Sequence, residues 1–134
     1  MSAADEQQPP AVVGFEREVL EQVWACGGDT SVREVLDALN GRDDKQRAYT
    51  TLMTVLVRLH AKGLLVRRRD GRSDRYSAAL TREQYHAIRA RAEVDALVGE
   101  YGDAALVHFA RQVGELDPER RARLERLAGR RDDA

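Results

Sequence analysis

The sequence predicts a mainly α-helical chain with one small β-hairpin, divided into an N-terminal domain and a helical C-terminal part. Three observations point there. Apolar residues recur at helical spacing in most segments between Phe15 and Leu127. A strand-turn-strand signal around Asp70-Gly71 interrupts them once. The 134 residues are 43% hydrophobic and 34% charged, enough for one core under an ionic surface, or for a small domain with an appendage.

Residues 1–13 lack periodicity and contain Pro9-Pro10, so they are expected to form a disordered arm. The first helix starts at Phe15, with Val19, Leu20, Val23 and Trp24 on its apolar face, and should stop at Cys26 before Gly27-Gly28. Ser31 and Glu34 have the spacing of a capping box, in which each side chain satisfies a free amide of the other residue. They open a short second helix with Val32, Val35, Leu36 and Leu39 inward, ending before Gly41. Residues 41–47 are a polar loop.

A third helix is expected from Tyr49 to Lys62, ending at Gly63, with Leu52, Val55, Leu56 and Leu59 as its buried stripe. The hairpin follows, its strand propensity concentrated in Leu65, Val66 and Tyr76. Thr81 begins a long helix reaching about Val98 and broken near Gly99–Gly102. Another covers about Ala104–Val113, and Asp117-Pro118 starts the last, with Leu124 and Leu127 inside. The expected division is therefore an arm at 1–13, a first domain at 14–80, a helical domain at 81–129 and a tail at 130–134. Three helices followed by a hairpin is the order of a winged helix-turn-helix. The C-terminal helices are too few and too partly apolar to fold comfortably alone, and dimerisation would cover them.

The total charge of −1 by itself favours no nucleic-acid partner. Its distribution reverses that reading. Between Lys45 and Arg75 nine basic residues face only Asp70 and Asp74, a balance of +7, so the remainder carries −8. This excess coincides with the third helix and the hairpin, the two elements that touch DNA in winged helices. On a helical projection Arg47, Thr50, Thr51, Thr54 and Arg58 cluster opposite the buried stripe. Exposed threonines are mediocre helix formers, yet they suit a groove, where the methyl can meet a thymine methyl and the hydroxyl a base edge or phosphate. Lys45 adds to the same basic stretch, and Arg67, Arg69, Arg72 and Arg75 are expected to hold phosphates from the wing. Tyr49 either donates to a phosphate or packs on the hairpin; the sequence leaves both open.

Other chemistries find little support. Aromatic residues make up 5%, which argues against a large aromatic-lined substrate pocket. Ser31, Ser73 and Ser77 sit in no nucleophile motif, so no enzyme is expected. His60, His86 and His108 are too scattered for a metal site, and one cysteine cannot complete one, so no metal or cofactor is expected. His108 reads as an interior histidine, and Cys26 as a buried, inert thiol. A single cysteine suits a reducing cytoplasm, the first ten residues have no signal-peptide pattern, and no apolar run suffices for membrane insertion.

The run YTTLMTVLVRLHAKGLLVRRRDGRSDRYSA at 49–78 resembles the BlaI/MecI family of penicillinase repressors, in which a Thr-rich recognition helix ending in Arg-Leu leads into a basic wing. ALVHFARQV at 105–113 is similar to that family's dimerisation helix, and EREVLEQVWACGGDTSVREVLDAL at 16–39 to its first two helices. The resemblance spans about residues 14–128. It implies a homodimeric, DNA-binding transcriptional repressor on a palindromic operator of double-stranded DNA, typically a TACA/TGTA inverted repeat, controlling β-lactamase or related genes. The dimer interface would use Leu97, Tyr101, Leu106, Val107, Phe109, Val113, Leu124 and Leu127. Relief would follow a sensor-protease pathway, with cleavage in the dimerisation helix at the bond aligning with His108-Phe109, where this chain has His in place of Asn. Two alternatives stand beside it: a winged helix used for protein–protein contact, and a repressor released by a small effector.

Overall fold

Helix α1 (Gly14–Cys26) opens the core of the N-terminal unit by burying Val19, Leu20 and Val23 along one stripe. Strand β1 (Thr30–Ser31), α2 (Val32–Arg42), α3 (Tyr49–Ala61), β2 (Leu65–Asp70) and β3 (Ser73–Ala78) follow, then α4 (Arg82–Tyr101), α5 (Asp103–Gly114) and α6 (Pro118–Ala128). This computed structural model describes residues 9–42 and 44–130. The expected arm up to residue 8 and the tail beyond Arg130 lie outside the described residues. Two compact units are present, the first ending at Ala92 and the second beginning at Glu93, within α4.

The first unit has one core. Leu52, Leu56 and Leu59 of α3 are completely enclosed by Val19, Leu20 and Val23 of α1 and by Val35 and Leu39 of α2, with Tyr76 of β3 beside them. Each such side chain contributes about 1.5–3 kcal/mol on burial. The buried positions on α3 are the four expected from spacing, so the helix rotation is as read. The capping box also forms. The Glu34 amide donates to Ser31 Oγ at 3.1 Å, and the Ser31 amide donates to Glu34 Oε2 at 3.4 Å. The helix α2 continues through Gly41 to Arg42, two residues past the expected stop.

At the end of α3 the Gly63 amide donates to His60 O and the Leu64 amide to Leu59 O, both at 3.0 Å, with Gly63 at φ +80°. This two-bond arrangement turns the chain sharply out of the helix. It delivers Leu64 and Leu65 into the core and starts the wing there. The wing differs from expectation in two ways. Asp70 pairs with Ser73, so its two-residue turn is Gly71-Arg72 and not Asp70-Gly71. Gly71 has φ +63° while no non-glycine residue among the described residues has positive φ, which fits a type II′ turn. The sheet also has three strands in the order β1-β3-β2, with Thr30 opposite Tyr76 and Ser31 opposite Arg75. Two residues are too few for alternation to reveal a strand.

The first unit runs past the expected boundary at Leu80. Thr81 and Gln84 form a second reciprocal cap at the start of α4. One turn on, Tyr85 is buried, its ring 5.5 Å from that of Trp24. The Tyr85 hydroxyl donates to Pro10 O at 3.1 Å and accepts from the Val12 amide at 3.2 Å, and Arg89 donates to Pro9 O. Residues 9–13 of the expected arm are thus tied down, with Val12 buried. Trp24 Nε1 donates to Leu80 O at 2.8 Å, fastening α1 to the segment after the wing. Cys26, expected to be buried, is exposed, because Gly27 turns the chain away from the core there; its Sγ lies 3.0 Å from Val23 O and 3.1 Å from Gly28 O, two acceptors for one thiol proton.

In the second unit α4 passes through Gly99 and stops at Tyr101, before Gly102. Asp117 caps α6, accepting from the Arg120 amide at 2.8 Å, with Pro118 in the first turn. None of its described residues is buried. Leu124 and Leu127, expected inside, are exposed, and so is His108, which lies 3.5 Å from the Gln112 amide nitrogen. Too few elements surround these helices to enclose any side chain.

Candidate nucleic-acid interface

The buried stripe of α3 fixes which residues face outward. Thr50, Thr51, Thr54, Val57 and Arg58 are all exposed. Thr54 Oγ1 donates to Thr50 O at 3.0 Å, so its hydroxyl proton is used within the helix. Val57 was missed in the sequence reading, although three residues after Thr54 is the same helical face. Arg58 stands beside Glu16 at 3.9 Å, while Lys62 holds Glu16 more closely at 2.6 Å.

Arg47 does not join this face. It precedes the helix, where helical phase does not apply, and its backbone amide donates to Asn40 Oδ1 at 2.8 Å. Its guanidinium lies 5.1 Å over the Phe15 ring and 3.0 Å from Glu18, leaving 9% of the side chain exposed. Arg47 is a fastener between α1 and the start of α3. Tyr49 is exposed, and the Arg33 guanidinium of α2 sits 5.2 Å from its ring centre. Lys45 is exposed in the connection before α3.

Strand alternation sorts the wing arginines. Tyr76, Arg67 and Arg69 lie on one face of the hairpin; Arg68 and Arg75 lie opposite each other on the other. Arg75 was expected to take a phosphate, but Asp29 Oδ1 lies 3.0 Å from its Nε and Glu34 Oε2 lies 3.5 Å from Nη2. Only 23% of its side chain is exposed, because β1 brings these acids against β3. Arg69 pairs across the hairpin with Asp74 at 3.5 Å and donates to Gly71 O. Arg67 and Arg72 are exposed and have no ion pair among the described residues. Arg68, counted in the basic stretch but given no role, is 58% exposed and 2.6 Å from Asp29.

The carboxylates respond to these contacts. Asp29 is held below its ordinary pKa by the hydrogen bonds from Arg68 and then Arg75. Glu34 is lowered by the Thr30 hydroxyl and then the Ser31 amide. The Arg75 pKa is raised, foremost by its hydrogen bond to Asp29. Four acids outside the +7 stretch, Glu16, Glu18, Asp29 and Glu34, therefore offset part of it. The wing arginines left without an ion-pair partner among the described residues are Arg67 and Arg72. No cluster of three metal-ligating side chains occurs among the described residues, and no described helix is long and apolar enough to cross a membrane.

Of the apolar residues expected at a subunit interface, Leu97, Tyr101, Leu106, Val107, Leu124 and Leu127 are exposed, and Phe109 and Val113 are half-buried. Leu97, Tyr101, Ala104, Ala105, His108 and Phe109 line a shallow apolar concavity of 260 Å³.

A three-helix core that presents a threonine face beside an arginine-bearing wing defines the winged-helix class of DNA-binding proteins. The chain belongs to the penicillinase repressor family, whose model matches residues 14–130. Transcriptional regulator BlaI of Mycobacterium tuberculosis is 42% identical over 121 residues, spanning 86% of this chain and 84% of the relative. Among solved structures, the monomeric form of Bacillus licheniformis BlaI in complex with the blaP half-operator is 26% identical, with a TM-score of 0.47 over 57% of this chain and 90% of that one. MepR, a transcription regulator of the Staphylococcus aureus multidrug efflux pump MepA, is 15% identical, with a TM-score of 0.45 over 94% of this chain and 82% of that one. The family relatives are regulators and not enzymes.

Proposed function

We propose that the protein acts as a homodimer on an inverted-repeat operator, each copy placing α3 in a major groove and its wing on the flanking backbone. The observation that carries the DNA half of this reading is the exposed Thr50-Thr51-Thr54 face of α3, with Arg67 and Arg72 unpaired on the neighbouring wing. The dimer half is supported by the second unit, which buries none of its described residues while exposing Leu97, Tyr101, Leu106 and Val107. A second copy would cover that surface and set two half-sites at a fixed spacing.

The regulated genes on this reading encode β-lactamase or related proteins, and relief comes from proteolysis in α5 at His108-Phe109. His108 is exposed, and its bond to Phe109 lies inside the helix, so cutting it requires α5 to open locally. Sedimentation with a TACA/TGTA inverted-repeat duplex tests the assembly. Two chains per duplex are expected. One chain binding the full repeat as tightly as two would overturn the dimer reading. Intact protein persisting in β-lactam-treated cells while the target gene is on would overturn proteolytic relief.

A further inference from the structure

Arg68 and Arg75 stand directly opposite each other on one face of the wing. Like charges in that position oppose strand pairing, and Asp29 lies between them. Its Oδ1 faces Arg75 Nε at 3.0 Å and its Oδ2 faces Arg68 Nη2 at 2.6 Å. The two arginines are held very differently. Arg75 also donates to the Asp29 backbone carbonyl and to Glu34, and is mostly covered. Among the described residues Arg68 has Asp29 alone as an ion-pair partner, and more than half of its side chain faces solvent. Arg75 fastens the wing to the β1 segment; Arg68 is an accessible guanidinium with one carboxylate on it.

A guanidinium binds carboxylate and phosphate through the same planar fork. The Asp29 oxygen therefore occupies a donor that a DNA phosphate would take. We propose that Asp29 is a built-in competitor for Arg68, withholding one wing guanidinium from the DNA backbone and so lowering affinity for duplexes of any sequence. Arg68 exchanges Asp29 for a phosphate when contacts by α3 hold the backbone against the wing. The protein then discriminates better against non-operator DNA than its basic residues alone would allow. This inference rests on the reading of the wing as a phosphate-contacting surface.

The test uses the full chain and a random-sequence duplex, with binding followed by fluorescence anisotropy over a salt series. Asp29→Asn should bind roughly five- to tenfold more tightly near 0.1 M salt, with a slope of log K against log salt steeper by about 0.9, the value of one added phosphate contact. Asp29→Ser should give the same gain, and thermal melts check that the fold is retained. Adding Arg68→Gln to Asp29→Asn should abolish the gain relative to Arg68→Gln alone. A gain that survives in the double variant would mean general repulsion by Asp29 and would overturn the competition. Neutral variants that bind no better, beside a wild type whose binding depends on salt, would also overturn it. A wild type with no salt-dependent binding would instead overturn the DNA reading beneath it.

Discussion

Thr54 donates its hydroxyl to the carbonyl of Thr50, one turn earlier on α3, at 3.0 Å. The bond commits the only hydrogen-bond donor of that side chain to the helix itself and leaves its methyl as the group best placed to meet a groove. A threonine in this state acts toward DNA mainly as an apolar probe, suited to the thymine methyl.

Thr54→Val should therefore keep operator affinity within about 0.5 kcal/mol, whereas Thr54→Ala and Thr54→Ser should lose about 1–3 kcal/mol on the operator and little on random duplex. Anisotropy titrations with both duplexes check this. Serine matching wild type while valine fails would assign the contact to the hydroxyl.

The wing arginines should separate into two groups. Arg67→Ala and Arg72→Ala should weaken binding to all duplexes about equally and reduce the salt slope by about 0.9 each, since both are exposed without an ion pair. Arg75→Ala should instead lower the melting temperature, because it removes the tie from β3 to Asp29 and Glu34. Salt series and melts on the three variants distinguish the outcomes; an unchanged slope for Arg67→Ala and Arg72→Ala would remove both from the interface.

Tyr85→Phe should cost about 1–3 kcal/mol, because it leaves the Val12 amide and the Pro10 carbonyl without their shared partner. Hydrogen exchange at Val12 should accelerate in the variant. Unchanged exchange would show that the buried Val12 side chain holds the arm unaided.

Acid should loosen the wing. Asp29 and Glu34 are held below their ordinary values of 3.8 and 4.5. A folded-state pKa that is depressed contributes stability above the ordinary value and loses it as pH falls through the lowered one. Melting temperature should be insensitive to these two groups at neutral pH and fall below about pH 4.5, with a shallower fall in Asp29→Asn. Melts across that range decide it; an identical acid limb in the variant would refute the assignment to Asp29.

A charge at the second unit's exposed apolar surface should dissociate a dimer. Tyr101 is 61% exposed and lines the concavity with Leu97 and Phe109. Tyr101→Asp should give monomers in sedimentation while leaving the melt of the first unit in place. Dimers persisting in this variant would move the interface elsewhere.

The helices were legible because their signals are local. Leu52, Val55, Leu56 and Leu59 repeat within two turns, and Ser31 and Glu34 cap each other across three residues, so each could be read from a short window. The Thr50-Thr51-Thr54 face followed from the same phase. The strand at Thr30-Ser31 was not legible, since its two residues form a strand only because β3 lies beside them. Arg47 was misplaced because helical phase was extended past the start of α3, where the chain instead turns its guanidinium onto Phe15 and Glu18. The bonds from Pro10 and Val12 to Tyr85 carry no sequence pattern, as they join groups more than seventy residues apart.

By itself, then, the sequence determined the winged-helix order, the rotation of α3 and the concentration of basic charge between Lys45 and Arg75. Only the tertiary structure decided which of those cations are available to a phosphate. Periodicity is written between neighbours in the chain, whereas an ion pair depends on distance in space. Glu18 reaches Arg47 across 29 residues, and Asp29 reaches Arg68 and Arg75 across 39 and 46. Counting charges along the chain could not reveal those pairs, because the fold alone brings their partners together.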